Sequence, residues 1–195
     1  MPVTLTKSRP TVSLTKPGRA SGPLLVNLRW RATGAGRQPI DLDLGCLYEL
    51  TDGTRGSVQA LGGSFHSANS HLADRPLITL DGDDRSGSSA DGETITIDLA
   101  RLSLLNRVLV YAFIYEGAAN WAAAQAVVTL RQPHDDPVEI LLDESDPDAP
   151  LCAIAMLTVT GQELTVHREV NYIRGWQDAA DRAYSWGLNW LPDEK

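Results

Sequence analysis

Residues 41–51 read DLDLGCLYELT, and successive side chains fall on two alternating faces. Leu42, Leu44, Cys46, Tyr48 and Leu50 share one face; Asp41, Asp43, Gly45, Leu47 and Glu49 share the other. A period of two predicts a β-strand, in which side chains at i and i+2 stand about 7 Å apart on one side. Asp41 and Asp43 can therefore point at one ion or one loop. Asp52-Gly53 then reads as a hairpin turn, with residues 57–61 as the return strand.

The same alternation recurs on both sides of this stretch. Upstream, Leu24, Val26, Leu28 and Trp30 oppose Asn27, Arg29 and Arg31, which predicts a half-buried strand. Residues 1–22 are polar and broken by Pro10, Pro17, Gly18 and Gly22, leaving room for one edge strand near residues 11–15. Downstream, Leu109, Tyr111, Phe113 and Tyr115 face one way, and Val108, Val110, Ala112 and Ile114 the other. A strand apolar on both faces belongs in the middle of a sheet. Residues 94–99, 125–131, 138–142, 151–159 and 163–172 continue the series, the last two joined across Thr160-Gly161-Gln162. Residues 62–75 carry no periodicity and read as a long surface loop. The period changes at Trp176: Ala179, Ala180, Ala183, Tyr184 and Gly187 follow at helical spacing, with Trp186 and Trp190 beside them. This is a short amphipathic helix packed on a sheet face. About ten strands with regular turn signals and one terminal helix predict an all-β fold. The expected architecture is an antiparallel two-sheet β-sandwich with a short C-terminal helix, one domain over residues 1–195.

Composition narrows the function. The chain has 195 residues, 43% of them hydrophobic, enough for a packed core. Seventeen Lys and Arg against 25 Asp and Glu leave a formal charge of −8. That sign disfavours nucleic acid and anionic membrane as direct partners and favours cations. The two cysteines, Cys46 and Cys152, lie in apolar strand runs and read as buried thiols. No apolar core of a signal peptide and no apolar run of about 20 residues occurs, so the expected location is the cytoplasm. No GxSxG, HExxH, P-loop or CxxC motif is present, and no catalytic set stands out. His66 and His71 lack the cysteines or the second histidine pair of a zinc site and read as loop histidines in solvent.

The acids are concentrated. Residues 80–99, LDGDDRSGSSADGETITIDL, carry Asp81, Asp83, Asp84, Asp91, Glu93 and Asp98 against one base, Arg85. Carboxylates so close repel one another unless something neutralises them. Two readings fit: a solvated acidic hairpin loop, or oxygen ligands on a Gly/Ser-rich turn ending in a potentially bidentate glutamate, as Ca²⁺ requires. Strand acids and loop acids together supply enough carboxylates for one fully protein-bound Ca²⁺ or two wetter ones, while Mg²⁺ would want fewer and Zn²⁺ would want His or Cys. A second tract, with Asp135, Asp136, Glu139, Asp143, Glu144, Asp146 and Asp148, is interrupted by prolines and reads as solvated turns.

Two separated motifs resemble the TerD/TerA family of bacterial tellurium-resistance and stress-response proteins. The family's DLDAS strand corresponds to DLDLG at 41–45, its GDNRTG to GDDRSG at 82–87, and its DDEQ and VDL to DGET at 91–94 and IDL at 97–99. The ending, REVNYIRGW followed by AYSWGLNW, is similar to TerA-type members. The resemblance implies a two-sheet sandwich that binds Ca²⁺ through these acids, without enzymatic chemistry, acting through protein partners of a tellurite-resistance or stress-response system. Carried over by position, the metal ligands are Asp41, Asp43, Asp83, Asp84, Asp91 and Glu93. Asp84 stands where the family has Asn, Gly92 replaces the middle acid of DDE, and the spacer is one residue shorter. A second class of function is a Ca²⁺-dependent binder of sugar or phospholipid, lectin-like or C2-like. Membrane contact is then expected to be indirect, since Phe65, His66, Arg75 and Arg85 are a thin supply of loop-tip anchors.

Overall fold

Twelve strands and two α-helices form in the computed structural model, which describes residues 1–15, 22–31, 40–68, 75–82, 92–117, 121–143 and 148–190. In chain order the strands are β1 (Val3–Thr4), β2 (Thr11–Ser13), β3 (Pro23–Arg29), β4 (Asp41–Leu50), β5 (Arg55–Gln59) and β6 (Ile78–Leu80). They continue with β7 (Glu93–Asp98), β8 (Leu105–Glu116), β9 (Ala126–Arg131), β10 (Val138–Leu142), β11 (Leu151–Thr160) and β12 (Glu163–Ile173). Helix α1 (Trp121–Ala124) is one turn, and α2 (Gln177–Tyr184) lies near the end of the chain. The strands make two six-stranded sheets, in the orders β1-β10-β9-β3-β7-β6 and β2-β12-β11-β8-β4-β5. Among the described residues one strand pair, β1 with β10, is parallel and the others are antiparallel. The expected two-sheet sandwich is the fold found.

Alternation decides which side chains enter the core. Leu24, Val26 and Leu28 of β3 and Leu42, Leu44, Cys46 and Tyr48 of β4 are all within 1% of full burial and belong to one apolar cluster. The opposite face of the second sheet is also dry. Leu47, Leu109, Tyr111, Phe113, Leu151 and Ala153 form a second cluster, covered by Ala180 of α2 and by Trp186. This is why β8 is apolar on both faces. Asp181 holds the cover in place, accepting from the backbone N–H groups of Gly187 and Leu188 at 2.8 Å and from Trp190 Nε1 at 2.9 Å. Arg107 lies over the Trp186 ring at 3.9 Å and bonds Glu49 at 2.7 Å, while Arg55 donates to the Trp186 carbonyl at 2.7 Å.

Some local expectations shift. Strand β5 starts at Arg55, two residues before the expected return strand, and β1 and β6 are too short to leave a periodic trace. The expected surface loop is anchored in part. Ser67 is buried, its hydroxyl accepting from the N–H groups of Leu77 and Ile78 at 3.1 Å, and Ala68 N–H donates to the Tyr48 hydroxyl at 2.9 Å. His66 is exposed; His71 lies outside the described residues. Cys46 and Cys152 are buried thiols, not joined in a disulfide, and burial pushes Cys46 up to about 12. Among the described residues no helix is long and apolar enough to cross a membrane.

Gly45 is required by a close approach. A Cβ there would stand 2.5 Å from Cζ and 2.6 Å from the hydroxyl of Tyr111. That ring cannot swing away, because it is fully buried and its hydroxyl donates to Gln59 Oε1 at 2.6 Å. Gly45→Ala is expected to lower unfolding free energy by about 1–3 kcal/mol, read from urea denaturation. A loss below half a kcal/mol would show that the ring yields freely.

Candidate functional site

The described acids of the two motifs come from both sheets, Asp41 and Asp43 from β4 and Glu93 from β7. Strand β5 pairs with β4 from Gly45 onward, so the N-terminal part of β4 has no β5 partner on that side. A carboxylate from the other sheet reaches it: Glu93 Oε2, at the start of β7, accepts from Leu44 N–H at 2.7 Å. Glu93 is 1% exposed, and Asp41 and Asp43 are each 5% exposed. The pairing of β4 with β8 sets Asp43 opposite Phe113 and Asp41 opposite Glu116, with a register shift between Asp41 and Leu42. Simple alternation therefore breaks at Asp41. Asp43 lies close enough to Tyr111 that its charge adds to burial, and to the effect of Cys46, in holding that phenol well above its usual value.

The other acids of residues 80–99 divide by role. Strands β6 and β7 pair in a hairpin, Leu80 opposite Ile95. Asp81 closes it: its carboxylate accepts from Thr94 N–H at 2.8 Å, and its own N–H donates to the Thr94 carbonyl at 3.1 Å. Asp98 caps the 3-10 turn at Leu99–Leu104, accepting from Ala100 N–H at 3.0 Å and from Arg101 Nε at 2.9 Å. These two are structural. Asp83, Asp84 and Asp91 lie outside the described residues. Among the described residues no group of three or more His, Cys, Asp and Glu side chains is arranged to hold a metal ion. The three described carboxylates are thus not a closed ligand set by themselves, although their chemistry, oxygen donors only, suits a hard cation.

Gly92 explains one departure from the family motif. Its φ is +64°, and a Cβ would collide with the Leu28 carbonyl of β3. The acid found there in the motif has no room on this backbone. The sequence offered one signal, the Asp-Gly-Glu order, but the obstructing carbonyl comes from a strand more than sixty positions away. A feature that sequence reasoning missed lies beside β8. Trp176 and Tyr115 are 47% and 53% exposed, and both stack edge-on against buried Phe113 at 6.2 and 6.4 Å.

Fold and corner together define a two-sheet β-sandwich whose sheets are joined by a buried carboxylate next to an acid-bearing hairpin. No protein-family model matches the chain. The tellurium resistance protein TerA of Alcaligenes sp. is 40% identical over 203 aligned positions, covering 99% of this chain and 58% of that protein. Two solved structures share the fold. A homologue of telluride resistance protein (TerD), SCO6318 from Streptomyces coelicolor A3(2), has a TM-score of 0.55 at 19% identity, covering 78% of this chain and 90% of its own. The protein of unknown function SAV2460 has a TM-score of 0.57 at 18% identity, covering 80% and 92%. The chain is a TerA relative with a TerD-type fold, as the two motifs imply. It spans under two thirds of the TerA protein's length.

Two substitutions test this corner. In EDTA, Glu93→Ala is expected to cost about 2–3 kcal/mol of stability, because the buried Leu44 N–H loses a charged acceptor. Chemical denaturation reads it, and a loss seen only with Ca²⁺ present would reduce Glu93 to an ion ligand. Gly92→Asp, which restores the motif's acid, is expected to cost at least about 2 kcal/mol from positive φ and the backbone clash. A stabilised Gly92→Asp protein would show that the chain relaxes around the side chain.

Proposed function

We propose that this chain is a calcium-binding, non-enzymatic scaffold protein of a bacterial tellurite-resistance or general stress-response system. One observation carries the reading: Glu93, itself buried, reaches across the sandwich to the backbone beside Asp43. A carboxylate removed from water is costly unless donors or cations compensate it. Asp41, Asp43 and Glu93 would supply the sandwich side of the site, and Asp83, Asp84 and Asp91 the hairpin side. Bound Ca²⁺ would supply positive charge that holds the hairpin to β4, giving protein partners an ordered acidic surface. The relatives' names refer to tellurium or telluride resistance and not to catalysis. A second reading, a Ca²⁺-dependent sugar binder, is favoured by exposed Trp176 and Tyr115 beside the strand register of Asp43, since aromatic faces stack on sugars. Glycan arrays and liposomes, each with and without Ca²⁺, separate the two.

Ca²⁺ is expected to raise the melting temperature and EDTA to lower it; an ion at 100 times its Kd adds about 2.7 kcal/mol. Asp43→Ala and Asp83→Ala should each weaken Ca²⁺ binding severely in isothermal titration, while Asp143→Ala and Asp146→Ala should not. Equal melting temperatures in 1 mM Ca²⁺, on the order of a hundredfold over a 10 µM site, and in EDTA would remove the site. Equal losses in both tracts would relocate it.

Tellurite itself is expected not to bind. The six candidate ligands carry six negative charges when ionised, and even two Ca²⁺ ions leave the cluster net negative. A like charge at 4 Å costs about 4 kcal/mol at an effective dielectric of 20. Reduction by Cys46 is disfavoured as well, because burial keeps its thiol protonated. Equilibrium dialysis of Ca²⁺-loaded protein against labelled tellurite checks this, with stoichiometric micromolar binding as the contrary result.

A further inference from the structure

We propose that the cavity beside Arg168 of β12 binds a small aliphatic monocarboxylate. On β12, Leu164, Val166, Arg168 and Val170 are all buried, and the three apolar members belong to the core cluster. An arginine therefore stands at an inward position of an otherwise aliphatic face. Its backbone is held on both sides, which keeps the side chain from turning outward. Arg168 pairs with Ala155 of β11, and its N–H donates to the Pro10 carbonyl at 2.7 Å. The residue is 9% exposed, and its guanidinium makes no hydrogen bond or ion pair with any described residue. Arginine is seldom buried to that degree unless paired, and a buried charge is costly until a partner is supplied.

The cavity has a volume of about 300 Å³, at the lower end of small-molecule sites. Its lining decides the ligand class. The Arg168 guanidinium is always charged and presents a planar fork that matches a carboxylate through two parallel N–H···O bonds. Leu5, buried in the core, and Leu141, 41% exposed, offer apolar surface to a short alkyl chain. Thr4, Thr6 and Lys7 add polar groups to the same lining. Asp143 faces this space too, so a dianion is penalised more than a monoanion. The cavity is not the carboxylate corner: β12 and β10 lie next to the edge strands β2 and β1, whereas β4 and β7 lie next to β5 and β6.

Isothermal titration of the chain with acetate, butyrate and hexanoate tests the site. Binding should be one to one and tighten about fourfold per methylene, the equivalent of burying one CH₂. Hexylammonium should not bind, and sulfate should bind at least tenfold more weakly than hexanoate. Arg168→Leu should abolish hexanoate binding and keep or raise the melting temperature, because it extends the aliphatic face and removes a buried charge. Arg168→Lys retains the charge without the fork and should weaken hexanoate at least tenfold. Should Arg168→Leu unfold, Leu141→Trp fills the cavity from an exposed strand position and should abolish binding. Absence of saturable hexanoate binding, equal affinity for hexylammonium or sulfate, or full binding by either folded variant overturns the proposal. So does a loss of hexanoate binding in Asp43→Asn as large as in Arg168→Leu.

Discussion

A strand that is apolar on both faces must be covered on both, and β8 imposes that constraint on everything around it. One face finds the first sheet. The other finds α2 and the chain after it, through Trp186, which is fully buried against Leu47, Leu109 and Tyr111. Burying an indole removes on the order of 200 Å² from water, about 5 kcal/mol before chain entropy is subtracted. The polar contacts then fix where the cover sits. Asp181 turns the chain back after the left-handed Ser185, and Arg55 and Arg107 hold the Trp186 segment at the end of the second sheet. Hydrogen bonds from Arg107 and Asn106 outweigh the effect of burial on Glu49 and keep its carboxyl below the usual range.

The acidic corner follows from the same geometry. Because β5 pairs with β4 only from Gly45 onward, the start of β4 lacks an acceptor strand on that side. Glu93 fills that role from the opposite sheet. A charged acceptor serves better than a neutral one, since hydrogen bonds to an ionised group are roughly twice as strong. The hairpin of β6 and β7 is anchored beside it by Asp81 and Thr94.

The two edges of the sandwich differ for a related reason. At one, β5 and β6 end sheets whose neighbouring strands carry the acids; at the other, β1 and β2 contribute two and three residues and leave aliphatic side chains half covered. Short edge strands limit edge-to-edge pairing with other chains, and here they also leave space between the layers.

Alternation by itself determined the β class, the both-face burial of β8, the terminal helix and the inward set from Leu24 to Trp30, because a period of two or 3.6 is a local property of the chain. The two acidic motifs and the family they resemble were equally local. Tertiary structure decided what no window of sequence contains. Glu93 bonds Leu44 across the sandwich, 49 positions away; Gly92 is excluded from carrying a side chain by the Leu28 carbonyl; Asp81 and Asp98, acids of the same run, serve as a hairpin clasp and a turn cap. Strands β1 and β6 were invisible for the same cause: two or three residues show no period, and only their partners Val138 and Ile97 hold them extended.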